Sequence, residues 1–239
     1  MEKHNINCMI CGEELVYSSE NRELECIYCG GIYESNTSCK SGHYVCDICH
    51  SKEGIDIIYD YCLKTDKNNP IEMAIELMKN SNINMHGPEH HFLVPAVLLA
   101  SYYNVLKQGD DKAKKLRIAR ERAKQIPGGI CGNYGNCGAG VGAGLFISII
   151  LGATPLTEES WGLANEMTGN VLIKAGKIGG PRCCKRNSFL AIEEASRFID
   201  KKLGVKLYEY DKYKTICEFR RFNKECIGRR CAYFYCPET

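Results

Sequence analysis

Residues 128–152 read GGICGNYGNCGAGVGAGLFISIILG, and the fold turns on how this stretch is understood. It opens as a glycine-rich turn carrying Cys131 and Cys137, then runs uncharged and apolar from Cys137 to Leu156. Three readings compete. The run is long enough to cross a bilayer, for which roughly 20 apolar residues suffice. Its first third is glycine and alanine, however, and Pro155 and Thr157 mark an ordinary helix boundary. A phosphate-binding glycine loop needs a strand before it and a βαβ unit around it, whereas QIPGGICGNYGNC reads as a turn. The reading that remains is a central helix buried by other helices. Its glycines would then let another backbone, or a cluster, come close to the helix start. Such a start is electropositive and favours a thiolate at Cys137, which Cys131 can join across the turn.

Cysteine is the outlier in composition: 16 of 239 residues. Lys and Arg number 31 against 29 Asp and Glu, a near balance that does not favour a nucleic-acid or acidic-membrane partner. The polar start MEKHNINCMICGEE has no apolar h-region, so secretion and a disulfide framework are not expected. Cysteines in a cytoplasmic chain point to metal, iron–sulfur or thiol chemistry.

The first of these chemistries is written in the amino-terminal residues. Cys8-Met-Ile-Cys11-Gly and Cys26-Ile-Tyr-Cys29-Gly are two C-x-x-C-G knuckles, whose spacer lets both thiolates face one tetrahedral ion while glycine permits the turn beneath it. CKSGHYVCDICH adds Cys39, His43, Cys46 and Cys49, enough for a second ion. Two zinc ions are expected. The ligands group either sequentially or as Cys8/Cys11/Cys39/His43 with Cys26/Cys29/Cys46/Cys49. The first half resembles a zinc ribbon. From Cys26 the spacing C-x2-C-x9-C-x3-H-x2-C-x2-C resembles the first six ligands of a RING-type cross-brace, without that family's last pair downstream.

Beyond this module the texture becomes helical. Asn69 and Pro70 suit the cap and first position of one helix; others are expected from Pro88, over DKAKKLRIARERAKQI, from Thr157, and from Asn187 or Ser188. The expected fold class is mainly α: a zinc-ribbon-like module over 1–54, then an all-α bundle of about six helices over 55–239, ending in a cysteine-rich segment.

Three further clusters carry candidate chemistry. MHGPEHH gathers His86, Glu89, His90 and His91 at a loop-to-helix junction, able to bind a metal or place an acid and a base beside a thiol. GKIGGPRCCKRNSF sets Cys183 and Cys184 between glycines and a helix, with Lys185 and Arg186 to favour thiolate or draw an anion. Vicinal cysteines make poor mutual disulfides, so one of the pair is expected to point inward. The last segment holds Cys217, Cys226, Cys231 and Cys236, at spacings that suit an iron–sulfur cluster better than zinc. Its interleaved Arg220, Arg221, Arg229 and Arg230 with Phe219, Phe222, Tyr233 and Phe234 form an alternative nucleic-acid surface.

NCGAGVGAGLFISIILG resembles the core of the C-GCAxxG-C-C family, in which Cys137-Gly138-Ala139 and Gly142-Ala143 match the motif. The whole chain is similar to an uncharacterised family of anaerobic bacteria and methanogenic archaea that joins a zinc-ribbon start to HGPEHH, GGICGNYGNCGAGVGAG and GGPRCC segments. The resemblance implies a metal, sulfur or redox role in the cytoplasm, with redox, methyltransferase or radical-SAM proteins as partners. The functional expectation is a 4Fe-4S or thiol-dependent enzyme of anaerobic sulfur or redox metabolism acting on a small or sulfur-carrying substrate. His86, Glu89, His90, Cys137, Cys183 and Cys184 are its candidate catalytic residues. Cys131, Cys137, Cys183, Cys184, Cys217, Cys226, Cys231 and Cys236 are its candidate cofactor ligands. The alternatives are a zinc-dependent module binding nucleic acid or protein, and a metal-dependent hydrolase using HGPEHH.

Overall fold

The computed structural model describes residues 8, 10–11, 13–46, 49 and 54–235. A small β-rich segment precedes a mainly α-helical bundle, and cysteine clusters lie near both ends. Strands β1 (Leu15–Glu25) and β2 (Ile32–Cys39) pair antiparallel from Leu15↔Cys39 to Glu25↔Ile32, with an irregularity between Tyr17 and Arg22. The second knuckle is the loop of this hairpin. Gly30 there has φ +67°, a left-handed conformation that disfavours any residue with a Cβ.

Eight α-helices follow among the described residues: α1 (Gly54–Lys64), α2 (Pro70–Met78), α3 (Glu89–Val105), α4 (Gly109–Ala123), the single turn α5 (Ile130–Asn133), α6 (Gly138–Leu151), α7 (Glu159–Ile178) and α8 (Cys184–Leu203). Their starts follow local chemistry where side chains provide it. Asn69 Oδ1 accepts the N–H groups of Ile71 and Glu72, and Pro70 follows at the first helical position, as expected. The expected Asn187 or Ser188 cap of α8 gives way to Cys183. Its sulfur accepts the Arg186 N–H at 3.4 Å, so the helix begins earlier.

Helix α3 is the axis of the bundle and packs against α1, α2, α4, α6 and α8. Apart from its amino-terminal EHH and Ser101 it offers almost no polar side chain before Tyr102, so it is buried on every face. Helix α6 is the apolar run of the opening stretch. It stops at Gly152 (φ +65°), where the chain turns back and Ala153 N–H reaches Ser148 O at 2.8 Å. Its 14 residues rise about 21 Å, short of the roughly 30 Å of a bilayer core. No helix among the described residues is long and apolar enough to cross a membrane.

The glycines of α6 serve packing. A Cβ on Gly142 would lie 2.9 Å from Pro95 Cδ and 3.0 Å from His91 O of α3. A Cβ on Gly144 would lie 1.9 Å from Thr168 Oγ1 and 2.8 Å from Ala164 O of α7. Alternate glycines therefore bring α6 against two helices at backbone distance. The β segment joins the same core: Cys26, Tyr28, Cys46 and Cys49 are buried in one cluster with Ile57, Leu77 and Phe92.

Candidate metal centres and thiol cleft

The eight amino-terminal ligand candidates fall into two sets. Cys8, Cys11, Cys39 and His43 form one, and Cys26, Cys29, Cys46 and Cys49 the other; within each set all donor atoms lie within 4.8 Å of one another. Of the two groupings open in the sequence, the structure has the interleaved one. The hairpin explains it. Cys8 and Cys11 precede β1 at its open end, where β2 delivers Cys39 and then His43. Cys26 and Cys29 occupy the loop, and the chain after His43 returns alongside it through Tyr44 O, which accepts Ile27 N–H at 3.1 Å.

The geometry suits a tetrahedral ion. Cys11 Sγ–Cys39 Sγ and Cys29 Sγ–Cys46 Sγ are each 3.9 Å, and Cys39 Sγ–His43 Nδ1 is 3.4 Å. Bonds of about 2.3 Å to zinc place neighbouring sulfurs about 3.8 Å apart. Backbone N–H groups of Ile10, Gly31, His43 and Cys46 point at the Cys8, Cys29, Cys39 and Cys26 sulfurs at 3.3–3.4 Å. Such bonds fix each thiolate's direction. Burial pushes the Cys8 thiol up to about 11 and also raises Cys26 and Cys49. Burial opposes ionisation at Cys29 too, but donors from Gly31 N–H and the Tyr33 hydroxyl outweigh it and bring that thiol to about 7. Four thiols this close cannot all ionise without a cation between them. Both sets can hold a metal ion.

The HGPEHH residues diverge. Glu89 folds its carboxylate back over Gly87, where an added Cβ would lie 2.1 Å from Oε2, and its Oε1 accepts Asn84 N–H at 2.7 Å. His86 Nε2 lies 3.3 Å from Asn223 Oδ1 and 3.0 Å from Glu225 Oε2. His90 Nδ1 donates to Gly87 O at 3.1 Å, while its buried Nε2 has no hydrogen-bond partner among the described residues. His91 Nδ1 donates to Ile126 O at 3.2 Å, and its ring fills the place where Gly138 would carry a Cβ. Thus HGPEHH and the glycine stretch meet, through packing.

His90 yields a pH prediction. Burial, reinforced by the charge of Lys185, holds it well below the ordinary histidine range and keeps it neutral, whereas in an unfolded chain it protonates near pH 6.5. Below that pH the unfolded state binds the extra proton, so stability falls on acidification, by at most about 1.4 kcal/mol per pH unit. Urea denaturation between about pH 6.5 and 5.5 should show a shallower loss in His90→Gln than in the parent. Parallel losses would refute the assignment.

Apart from Cys62, which is fully buried in the core, the remaining described cysteines separate into two neighbourhoods. Cys131 and Cys137 line an open cleft of about 590 Å³ between α5, the start of α6, the end of α7 and the start of α8, with Arg182, Arg186 and Asn187. Asn187 Nδ2 donates to Cys137 Sγ at 3.2 Å. Burial pushes the Cys184 thiol up to about 11, against the pull of the Gly87 N–H and with the Cys137 thiol adding to the rise. Its neighbour Cys183 faces the other way, into a pocket with Cys217, Cys226 and Cys231. Of the expected site cysteines, Cys131 and Cys137 share one cleft, whereas Cys183 lines the other pocket. Cys236 lies outside the described residues. Of the aromatic residues read as a nucleic-acid surface, Phe219 and Tyr233 are buried, and Phe222 and Phe234 sit under Arg221 and Arg220. Asn187, read only as a helix cap, and Asn223, not singled out at all, both contact cysteine sulfur.

No curated protein and no solved structure matches the chain. A family model does, over residues 58–234, which is more than half of the sequence and takes in the whole bundle from α2 to the carboxy-terminal cysteines. The chain belongs to that family, described as a family of unknown function, DUF5714.

Proposed function

We propose that this is a zinc-stabilised thiol protein that handles a small anionic, sulfur-carrying substrate at Cys137. Zinc fits the two amino-terminal sets by donor softness and tetrahedral spacing, and four protein ligands in each close the shell, which makes both ions structural. The observation that carries the reading is the cleft itself. Cys137 stands at the open mouth of α6, hydrogen-bonded by Asn187, with Arg182 and Arg186 lining the same space. Two guanidinium groups attract an anion, and the Asn187 amide stabilises negative charge on sulfur.

The chemistry best suited to this arrangement is sulfur transfer. The Cys137 thiolate attacks the terminal sulfur of a donor persulfide, R–S–SH. A Cys137–S bond forms as the donor S–S bond breaks, the hydrogen stays on the transferred sulfur, and R–S⁻ leaves toward the arginines. Cys131 lines the same cleft and can take the sulfur in a second exchange of the same kind.

Incubation with a low-molecular-weight persulfide, followed by peptide mass analysis, is the test. One added sulfur is expected at Cys137 and none at Cys62, which is fully buried and pushed up by that burial. Asn187→Ala should slow the labelling about tenfold, the worth of a hydrogen bond to a charged group. No label at Cys137, or labelling unaffected by Asn187→Ala, would sink the proposal.

A further inference from the structure

One pocket beneath the carboxy-terminal segment is lined by four cysteines: Cys183 from the cap of α8, and Cys217, Cys226 and Cys231. The geometry points to a third metal centre here, and we propose that these four thiolates hold a cubane 4Fe-4S cluster with Arg186 as its counter-charge. The inference stands apart from the thiol chemistry of the cleft and shares only Arg186 with it.

Spacing argues for a cluster over a single ion. Among the described residues only the two amino-terminal sets bring three or more donor atoms within 4.8 Å. The pocket's four thiols are thus set wider than the shell of one zinc, whose sulfurs lie about 3.8 Å apart. A cubane carries its cysteine sulfurs on four separate irons, and so holds them farther apart than a single ion does. The surroundings suit an inorganic core: Met85, Phe219, Ile227 and Tyr233 supply apolar walls. The Cys183 sulfur receives the Arg186 N–H at 3.4 Å and the Asn223 amide at 3.6 Å, the kind of donors that tune cluster sulfurs.

Charge supplies the independent argument. Arg186 is 4% exposed and makes no ion pair among the described residues. Its Nε donates to Asn187 Oδ1 at 3.0 Å and its Nη2 to Gly179 O and Pro181 O at 3.1 and 3.2 Å, while Nη1 has no acceptor among the described residues. A guanidinium buried without an anion is strongly unfavourable. Four thiolates around an oxidised cubane carry a net charge of about −2 and would offset it. Lys185, 1% exposed and bonded to Ile83 O at 3.2 Å, has the Glu89 carboxylate as its main counter-charge, which leaves Arg186 as the cation for the pocket. Because four protein thiolates saturate all four irons, the cluster has no open coordination position. It is suited to carrying electrons or to structure, and not to binding substrate. Cys226 is exposed, which brings one corner within reach of the surface.

The experiment is anaerobic reconstitution of the full-length protein with iron and sulfide, followed by metal and sulfide analysis and electron paramagnetic resonance after reduction. About four irons and four sulfides per chain are expected, beside the two zinc ions. Cys183→Ala should lose the cluster, and Cys184→Ala should keep it. Cys226→Ala, at an exposed position that leaves the core intact, should lose at least one iron. Full iron in Cys183→Ala and Cys226→Ala, or a third zinc with no sulfide in the parent, would overturn the assignment. Persulfide labelling of Cys137 fails or succeeds separately from each of these results.

Discussion

Cys46→Ser is expected to abolish binding of the ion proposed for its set and to unfold the segment around it. Cys46 is 2% exposed and belongs, with Cys26 and Cys49, to the same buried cluster as the helices of the bundle. Lys64 of α1 also ties to this set through Cys29 O at 3.0 Å. Structural zinc contributes about 10–16 kcal/mol of apparent binding energy to small metal-bearing folds, comparable to the roughly 5–15 kcal/mol that holds a whole domain. Loss of this ion should therefore lower the melting temperature of the entire chain. Cys11→Ser removes a ligand from the other set, which has only Cys8 and Cys39 fully buried and no member in the main buried cluster. It should cost one zinc with a smaller effect on the bundle. Zinc content and thermal melting of the two variants decide the matter; two retained ions and an unchanged melt in Cys46→Ser would contradict it.

Gly144→Leu should be the most damaging substitution in α6. Even the first carbon of a side chain there meets Thr168 Oγ1 and the Ala164 carbonyl, and the latter is backbone that cannot rotate away. A leucine would force α6 and α7 apart, a cost of about 3 kcal/mol or more. Gly169 on α7 provides the opposite case. Nothing lies within 4 Å of its added Cβ, so Gly169→Ala should stabilise by about 0.5–1 kcal/mol through helix propensity alone. Denaturant unfolding of both variants tests one idea, that glycine in this protein is either steric necessity or open opportunity. A neutral Gly144→Leu would refute the close packing.

These glycines show where sequence reading ends. Their density in GNCGAGVGAG announced a close approach but not its object. The object is His91, Pro95, Ala164 and Thr168, residues 20 to 50 positions away that only the tertiary fold supplies. The amino-terminal ligands were legible for the opposite reason: a two-residue spacer brings two thiols together locally, whatever surrounds it. Their pairing was not legible, because a hairpin decides which pairs meet. Helix α1 sits just behind the cysteine module, and its signal in the sequence is brief: Ile57, Ile58, Tyr61 and Cys62 on one helical face. The start of α8 lies earlier than Asn187 and Ser188 suggest, because its cap is a sulfur, which is not a usual capping acceptor. That displacement mattered for function. With the helix beginning at Cys184, the two vicinal thiols take different directions, and Cys183 joins cysteines more than thirty residues onward.

Arg186 lines both the open cleft and the four-cysteine pocket, as a single cation shared by two compartments. Its charge can be fully compensated from only one side at a time. With the proposed cluster in that pocket, an electron added to it and an anion bound in the cleft would compete for the same guanidinium, and thermodynamic reciprocity would make the penalty equal in both directions. Reduction would loosen the grip on an anion, and a bound anion would make reduction harder. Under that assignment, the partition between the two chambers would also be their means of communication.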